Sequence, residues 1–287
     1  MEVLRQICRS GLRWYCSRGI RGSSRALALF APWIAPKNGV EVREIGRHRV
    51  CLDHRIRATR LMAYGCYERN ECRLLSKWVP AGGVAVDCGA NVGYMAAHMA
   101  RAVGPHGRVY AFEPSPTCIR ALQNMLEKTT DSNITIIESA VAETRRTTFY
   151  FETEHILSHG FGRIDVHPSD RHRNVTEHEV QVTSLDNFFR DFQLTRLDFV
   201  KIDVEGAEIL VLHGMKEIFE NGLRPKILLE LSVGEGLTQA TEIPDLLEHH
   251  GYQSFRVKKA VCTVNVRELP SGFHGNILFV PIEKTDH

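Results

Sequence analysis

The 287-residue chain has no Cys-x-x-Cys pair. Its eight cysteines, Cys8, Cys16, Cys51, Cys66, Cys72, Cys88, Cys118 and Cys262, are scattered. That removes zinc-type spacing and argues against a disulfide framework in a chain of this length. A reduced, cytoplasmic setting is therefore the expectation. No apolar run reaches the ~20 residues that a bilayer-spanning helix needs. The longest candidate, Ala26 to Ala35, is broken by Pro32. Neither sign of charge dominates: 36 Lys and Arg stand against 34 Asp and Glu, a formal +2. There is thus no electrostatic case for nucleic acid, which is not expected as a partner. Internal repeats and low-complexity tracts are also missing. What remains, 43% hydrophobic and 24% charged, is ordinary for a folded domain with a sizeable core.

The most informative stretch is Gly83-Val-Ala-Val-Asp-Cys-Gly-Ala-Asn-Val-Gly-Tyr94. A short apolar run ends in Asp87, and Gly89 and Gly93 then lead into an Ala/Met-rich helical segment. In an open α/β sheet, ligands bind where the first strand hands over to its helix. A second strand, Arg108 to Phe112, ends in Glu113, placed to accept both hydroxyls of an adenosine ribose. The G-x-G-x-x-G cradle of dinucleotide sites is absent, because the glycines follow Gly-x-x-x-Gly. A carboxylate at Asp87 would repel a pyrophosphate and favour a ligand with an ammonium and a sulfonium. The pattern therefore points to S-adenosylmethionine rather than a nicotinamide dinucleotide. Strand-end solvation and helix capping are the alternative uses of the two acids.

Further strands are expected at Asn133–Ile137, Leu197–Asp203, Lys226–Leu231, Gln253–Val257 and Asn276–Val280. Helices are expected over Tyr67–Trp78, Cys118–Lys128, Ala207–Glu220 and Pro244–His250. Thr147–Glu152 and Glu179–Thr183 read as β-like runs around a polar insert, residues 153–178. Alternating strands and helices over nearly 200 residues imply an α/β fold with a doubly wound, mainly parallel sheet. Residues 1–63 read as an N-terminal basic helical extension with a small hairpin, and 64–287 as the main domain.

Val86-Asp-x-Gly-Ala-Asn-x-Gly93, Phe112-Glu-Pro114 and Val200-Lys-Ile-Asp-Val-Glu-Gly-Ala-Glu208 together resemble the FkbM family of S-adenosylmethionine-dependent methyltransferases. Tyr67-Glu68, Ser184-Leu185-Asp186 and the run from Pro225 to Glu230 add to the likeness. The resemblance implies a Rossmann-like, seven-stranded class I methyltransferase sheet with its last strand antiparallel. It also implies methyl transfer, usually to the hydroxyl of a sugar, glycan or natural-product acceptor. Asp87, Gly89, Asn91, Gly93 and Glu113 match on the cofactor side, with Glu68 and Ser139 as weaker additions. A nicotinamide oxidoreductase and a non-catalytic protein that keeps the cofactor fold are the rival readings.

An alcohol needs a base or a metal to become nucleophilic at neutral pH. Asp203, ending the fourth strand, is the expected acceptor-side base or orienting carboxylate, with Glu205 beside it. Glu205 and Glu208 could instead cap the following helix. Glu230 could join Asp203 around Mg²⁺, although no metal motif supports one, and no metal ligand is assigned. Lys201, inside a strand, must reach the sheet edge or pair with a carboxylate. His155, His159, His167, His172 and His178 crowd the insert and read as loop residues. Near the N-terminus, Arg5, Arg9 and Arg13 fall four apart, while Leu4, Ile7, Gly11 and Trp14 share another face. Such a helix suits peripheral membrane contact or partner docking, an organellar transit peptide, or ordinary packing against the domain.

Overall fold

Short β-branched runs bounded by glycine supply the strands, and their order brings the candidate side chains to one edge of a sheet. A computed structural model describes residues 2–18, 23–153, 163–164, 175–234, 239–258 and 261–283. Two helices, α1 (Glu2–Ser17) and α2 (Ser23–Ile34), precede a hairpin of β1 (Val40–Ile45) and β2 (His48–Asp53). Next come α3 (Arg57–Ala63), α4 (Arg69–Trp78), β3 (Val84–Cys88), α5 (Tyr94–Val103), β4 (Arg108–Phe112), α6 (Pro116–Glu127) and β5 (Ile134–Ile137). A side sheet follows, made of β6 (Ala140–Val141), β7 (Arg146–Thr153), β8 (Arg163–Ile164) and β9 (Val175–Thr183). The chain re-enters the main sheet through α7 (Leu185–Asp191), β10 (Phe199–Ile202), α8 (Glu208–His213), α9 (Lys216–Glu220) and β11 (Lys226–Ser232). It finishes with α10 (Gln239–His249), β12 (Tyr252–Val257), β13 (Val261–Thr263) and β14 (His274–Pro281).

The main sheet runs β13-β12-β14-β11-β10-β3-β4-β5. β3 pairs in parallel with both β4 and β10, while β14 is antiparallel to β11 and β12. This is the doubly wound, seven-stranded order expected, with β13 added at one edge. Alternate side chains feed two apolar clusters. Ala85 and Phe199 face Leu75, Met95 and Leu122, whereas Val86, Val200 and Ile202 face Phe188, Val211, Ile218 and Ile243. Helices cover both faces for that reason. The order reverses at β3, so the carboxyl ends of β3, β4 and β10 open a crevice there.

The N-terminal elements join the first of these clusters through Cys16, Leu27, Ala31, Ile34, Val50 and Leu52. Arg13 donates to the Ala63 carbonyl at 2.9 Å and pairs with Glu41. Arg43 donates to the carbonyls of Met62 and Ala63 at 2.8 Å each, tying β1 to the end of α3.

Four local expectations need correction. The helix expected over 207–220 is two, α8 and α9, broken at Gly214-Met215. A Cβ on Gly214 would meet the Ala142 carbonyl oxygen at 2.4 Å, so close packing on β6 sets the break. The helix expected from Tyr67 starts at Arg69, because Glu68 is left-handed at φ 37°. The helix expected from Pro244 begins five residues earlier, at Gln239, with Pro244 inside it. The insert is β-structured at its base, where β7 and β9 pair from Arg146–Val182 to Thr153–Val175. His178 lies on that arm opposite Tyr150, while His155, His159, His167 and His172 fall outside the described residues.

Asp186, in the Ser-Leu-Asp motif, holds α7 to α9 by accepting from the Glu217 and Ile218 backbone N–H groups at 3.0 Å each. Asp186→Ala should therefore cost about 1–3 kcal/mol of stability, through two orphaned amides at a helix start. Urea unfolding of the variant checks this, and its cofactor affinity should match the parent protein.

Candidate functional site

Gly89 opens the crevice. It is left-handed at φ +84°, and a Cβ there would lie 1.9 Å from the Asp203 carbonyl oxygen. Only a glycine lets the turn after β3 approach the end of β10 so closely. Gly93 begins α5, where a Cβ would press on Leu122 at 2.7 Å. Asn91 between them is also left-handed (φ 53°), as are Glu68 and Glu205 (φ 37° and 55°). Left-handed backbone is uncommon for such residues and concentrates where a site over-determines it.

The turn is fastened to β4 through Glu113. Its Oε2 accepts from the Asn91 N–H at 2.7 Å and its Oε1 from the Ser115 N–H at 2.8 Å. Glu113 is nearly buried and borders a cavity of about 460 Å³ with Gly89, Asn91 and Ser139. The Ser139 hydroxyl lies 2.9 Å from the Ala140 carbonyl oxygen and 3.0 Å from that of Gln181, tying the cavity wall to the side sheet. At its other end the cavity meets Lys201, Asp203, Glu205, Glu230 and His274. Five of the sequence-selected residues, Gly89, Asn91, Glu113, Ser139 and Asp203, therefore share one cavity wall with Glu205.

Asp87, Glu68 and Gly93 are not on that wall. Asp87 is fully buried behind it, in register with Lys201 on the neighbouring strand. Neither of its oxygens meets a donor in good hydrogen-bond geometry among the described residues. Burial, opposed by Lys201, raises its pKa to about 6. Glu68 is buried too, and burial raises it to about 7 against the pull of Lys201. It is joined to the far strand by Asn276, whose amide donates to Glu68 at 3.3 Å and to Glu71 at 3.4 Å.

Lys201 is the hub that sequence reasoning left without a role. It is 2% exposed, and its Nζ lies 2.6 Å from Asp203 Oδ2 and 3.6 Å from Glu68 Oε1. Burial alone would lower its pKa, but Asp203 and Glu68 outweigh that and hold it well above the ordinary value. Asp203 shows the converse. Burial pushes its carboxyl up, and Lys201 overrides this and keeps it below the usual range. Glu230 is raised to about 9 by burial and by the Asp203 charge beside it. It is therefore neutral at pH 7 and shares a hydrogen bond with Asp203. His274 continues the line, with Nε2 3.1 Å from Glu230 Oε1 and Nδ1 2.9 Å from the Ser232 hydroxyl. No motif around His274 marks it. Only its antiparallel register opposite Ser232 brings it to the site.

Glu205 is exposed on its left-handed turn, whereas Glu208 is buried and accepts from the Gly206 N–H at 2.9 Å. Glu208 is thus the loop-holding acid of the pair. Asp203 and Glu230 are hydrogen-bonded to each other. Among the described residues, no three His, Cys, Asp or Glu side chains are arranged to hold a metal ion.

This geometry suits an adenosine-bearing cation, and comparison with known proteins decides which. Residues 87–254 match the Methyltransferase FkbM domain family. The chain belongs to that family. It is an S-adenosylmethionine-dependent methyltransferase. It is similar to methyltransferase sdnD of Sordaria araneosa, 25% identical over 202 residues, covering 62% of this chain and 76% of that protein. It is also similar to the AMB antimetabolite synthetase AmbE of Pseudomonas aeruginosa, 26% identical over 207 residues, covering 61% of this chain but only 10% of that protein. Among solved structures, methyltransferase FkbM of Methylobacillus flagellatus aligns at a TM-score of 0.43 and 18% identity, over 76% of this chain and 54% of that one.

The residues present fit the cofactor of this methyltransferase. Glu113, fixed by two backbone N–H groups, could receive the ribose hydroxyls, and the Gly89–Asn91 backbone would follow the methionine portion. The buried Asp87 carboxylate supplies negative potential beneath that turn, which favours a cation above it.

Glu230 gives a sign that can be checked. Its folded pKa, about 9, exceeds the ordinary 4.5, so the stability it contributes is complete below about 4.5 and is lost as pH climbs toward 9. Glu230→Gln keeps a neutral donor and removes that loss. The variant should gain stability relative to the parent as pH rises through this window. Thermal unfolding across the range tests it, and a pH-independent difference would contradict the assignment.

Proposed function

We propose that the methyltransferase transfers its methyl group to a hydroxyl of a small natural-product or sugar-type acceptor, with Asp203 as the carboxylate that receives the hydroxyl. The observation that carries this is the line Lys201–Asp203–Glu230–His274, which runs from the buried sheet to the cavity rim. The likeness to AmbE, named as an antimetabolite synthetase, supports a small-molecule acceptor.

Bound S-adenosylmethionine would supply a methyl carbon on a sulfonium, open to in-line displacement by an oxygen. Asp203, held ionised by Lys201, would orient the acceptor O–H and take its proton. Held below the usual range, Asp203 is a weak base. Its contribution is alignment together with late proton uptake, and alignment can supply much of the acceleration. The neutral Glu230 then passes its own proton to His274 and accepts the one on Asp203, which restores the carboxylate. His274, with a side chain 65% exposed, releases that proton to water. Glu205, at the mouth, would contact the acceptor's polar groups. On the donor side, Glu113 would bind the ribose diol, with Asp87 and Glu68 supplying negative charge behind the methionine end.

Two measurements test this reading. Glu113→Ala should weaken S-adenosylhomocysteine binding by about 1.5–3 kcal/mol, read by calorimetry, because a charged acceptor is lost. Asp203→Asn should keep that affinity and suppress methyl transfer by about 10²-fold or more. Activity is followed by labelled methyl transfer to a panel of hydroxylated natural products and sugars. Label in an alkali-stable ether supports the reading, whereas label in an alkali-labile ester or on nitrogen overturns it.

A further inference from the structure

Helix α1 is turned opposite to the way its sequence pattern suggests. Its apolar stripe faces solvent, with Leu4, Ile7 and Trp14 at 65%, 62% and 56% exposure. Its arginine flank faces the protein, where Arg9 donates to the Ile34 carbonyl at 2.9 Å and Arg13 bonds Ala63 and Glu41. Helix α2 packs on α1 and divides in the same manner. Leu27, Ala31 and Ile34 enter the core, while Leu29, Phe30 and Trp33 stand out at 67%, 57% and 77% exposure. Six of the ten large apolar side chains exposed among the described residues thus lie on these two helices. Scattered exposure is ordinary, but exposure concentrated on two neighbouring helices marks an interaction surface.

Charge identifies the occupant. The first 40 residues hold seven Lys and Arg against one acid, Glu2, a formal +6, so the remaining chain is net −4 to make the overall +2. Arg18 and Arg25 are exposed, and the Arg18 guanidinium lies 4.3 Å over the Trp14 ring. We propose that the exposed faces of α1 and α2 dock the enzyme on an anionic lipid bilayer. Tryptophan favours the headgroup level, leucine and phenylalanine enter the acyl boundary, and arginines are drawn to the anionic surface. A second copy of this chain would set the exposed Arg18 and Arg25 against their own copies, which disfavours self-association through the same face. No helix among the described residues is long and apolar enough to cross a membrane, so the contact is peripheral. Docking by these helices would present the enzyme to acceptors held at a lipid surface.

The test is vesicle flotation of the full chain, comparing phosphatidylcholine vesicles with vesicles enriched in phosphatidylglycerol. The protein carries three tryptophans, of which Trp78 is buried against Phe199, so Trp14 and Trp33 report the contact. The enzyme should float with anionic vesicles at least about tenfold better than with neutral ones, with a blue shift in emission, and salt should weaken both. The double variant Leu29→Glu, Trp33→Glu should lose about tenfold or more of that partition. Unchanged S-adenosylhomocysteine affinity would show that the variant is folded. The proposal is overturned if the parent protein ignores anionic vesicles, binds neutral ones equally, or partitions like the variant. It is equally overturned if sedimentation shows a dimer that the double variant abolishes, because a second copy then covers the face.

Discussion

A single buried cation, Lys201, sets the terms for the rest of the site. It stands in β10 with apolar neighbours on either side in sequence, and it is closed off from water. Four carboxyl groups gather around it, on β3, at the start of α4, at the end of β10 and on β11. One positive charge cannot hold all of them ionised, so their protonation states separate. Asp203, in direct contact, stays a carboxylate. Glu230 gives up its charge, and Asp87 and Glu68 titrate at about 6 and about 7. This arrangement would be costly as a purely structural device. It becomes intelligible where a cationic ligand completes the neutralisation.

The second constraint is steric. Because Gly89 lets two strand ends nearly touch, the glycine turn and the Asp203 carboxylate share one wall. Glu113 fixes that turn from the β4 side through two backbone amides. The cavity beside the turn and the line from Lys201 through Asp203 therefore meet at one junction between β3, β4 and β10. Displacement of any of the three strands would disturb both together.

The glycine turn and its neighbouring acid were legible in the sequence because their constraints are local. A glycine turn after an apolar strand, and an acid one strand later, carry their geometry in their spacing. The sheet order was legible for the same reason, since strand–helix alternation leaves few arrangements. Lys201 was only half legible: a lysine inside an apolar strand announces a partner without naming it. Glu230 was visible as a companion of Asp203, but its neutral state follows from burial. His274 was invisible, because its position comes from an antiparallel register set 42 residues downstream of Ser232. The break at Gly214 was missed because it arises from contact with β6, which no local propensity records. On α1 the hydrophobic period was read correctly, but periodicity cannot say which face a protein turns inward. There the hydrogen-bonding demands of α2 and α3 termini drew the arginines in.

The central claim is that Lys201 stabilises the fold through the carboxylates around it, and replacement by a shape-matched neutral side chain addresses it directly. Urea unfolding of Lys201→Met, followed across pH, should show a loss of about 3–5 kcal/mol above about pH 7, where Asp203, Glu68 and Asp87 are ionised and have no counter-charge. The deficit should shrink as pH falls through about 7 and then about 6, where Glu68 and then Asp87 take up protons. A deficit that stays constant across that range, or no deficit at all, would contradict the account.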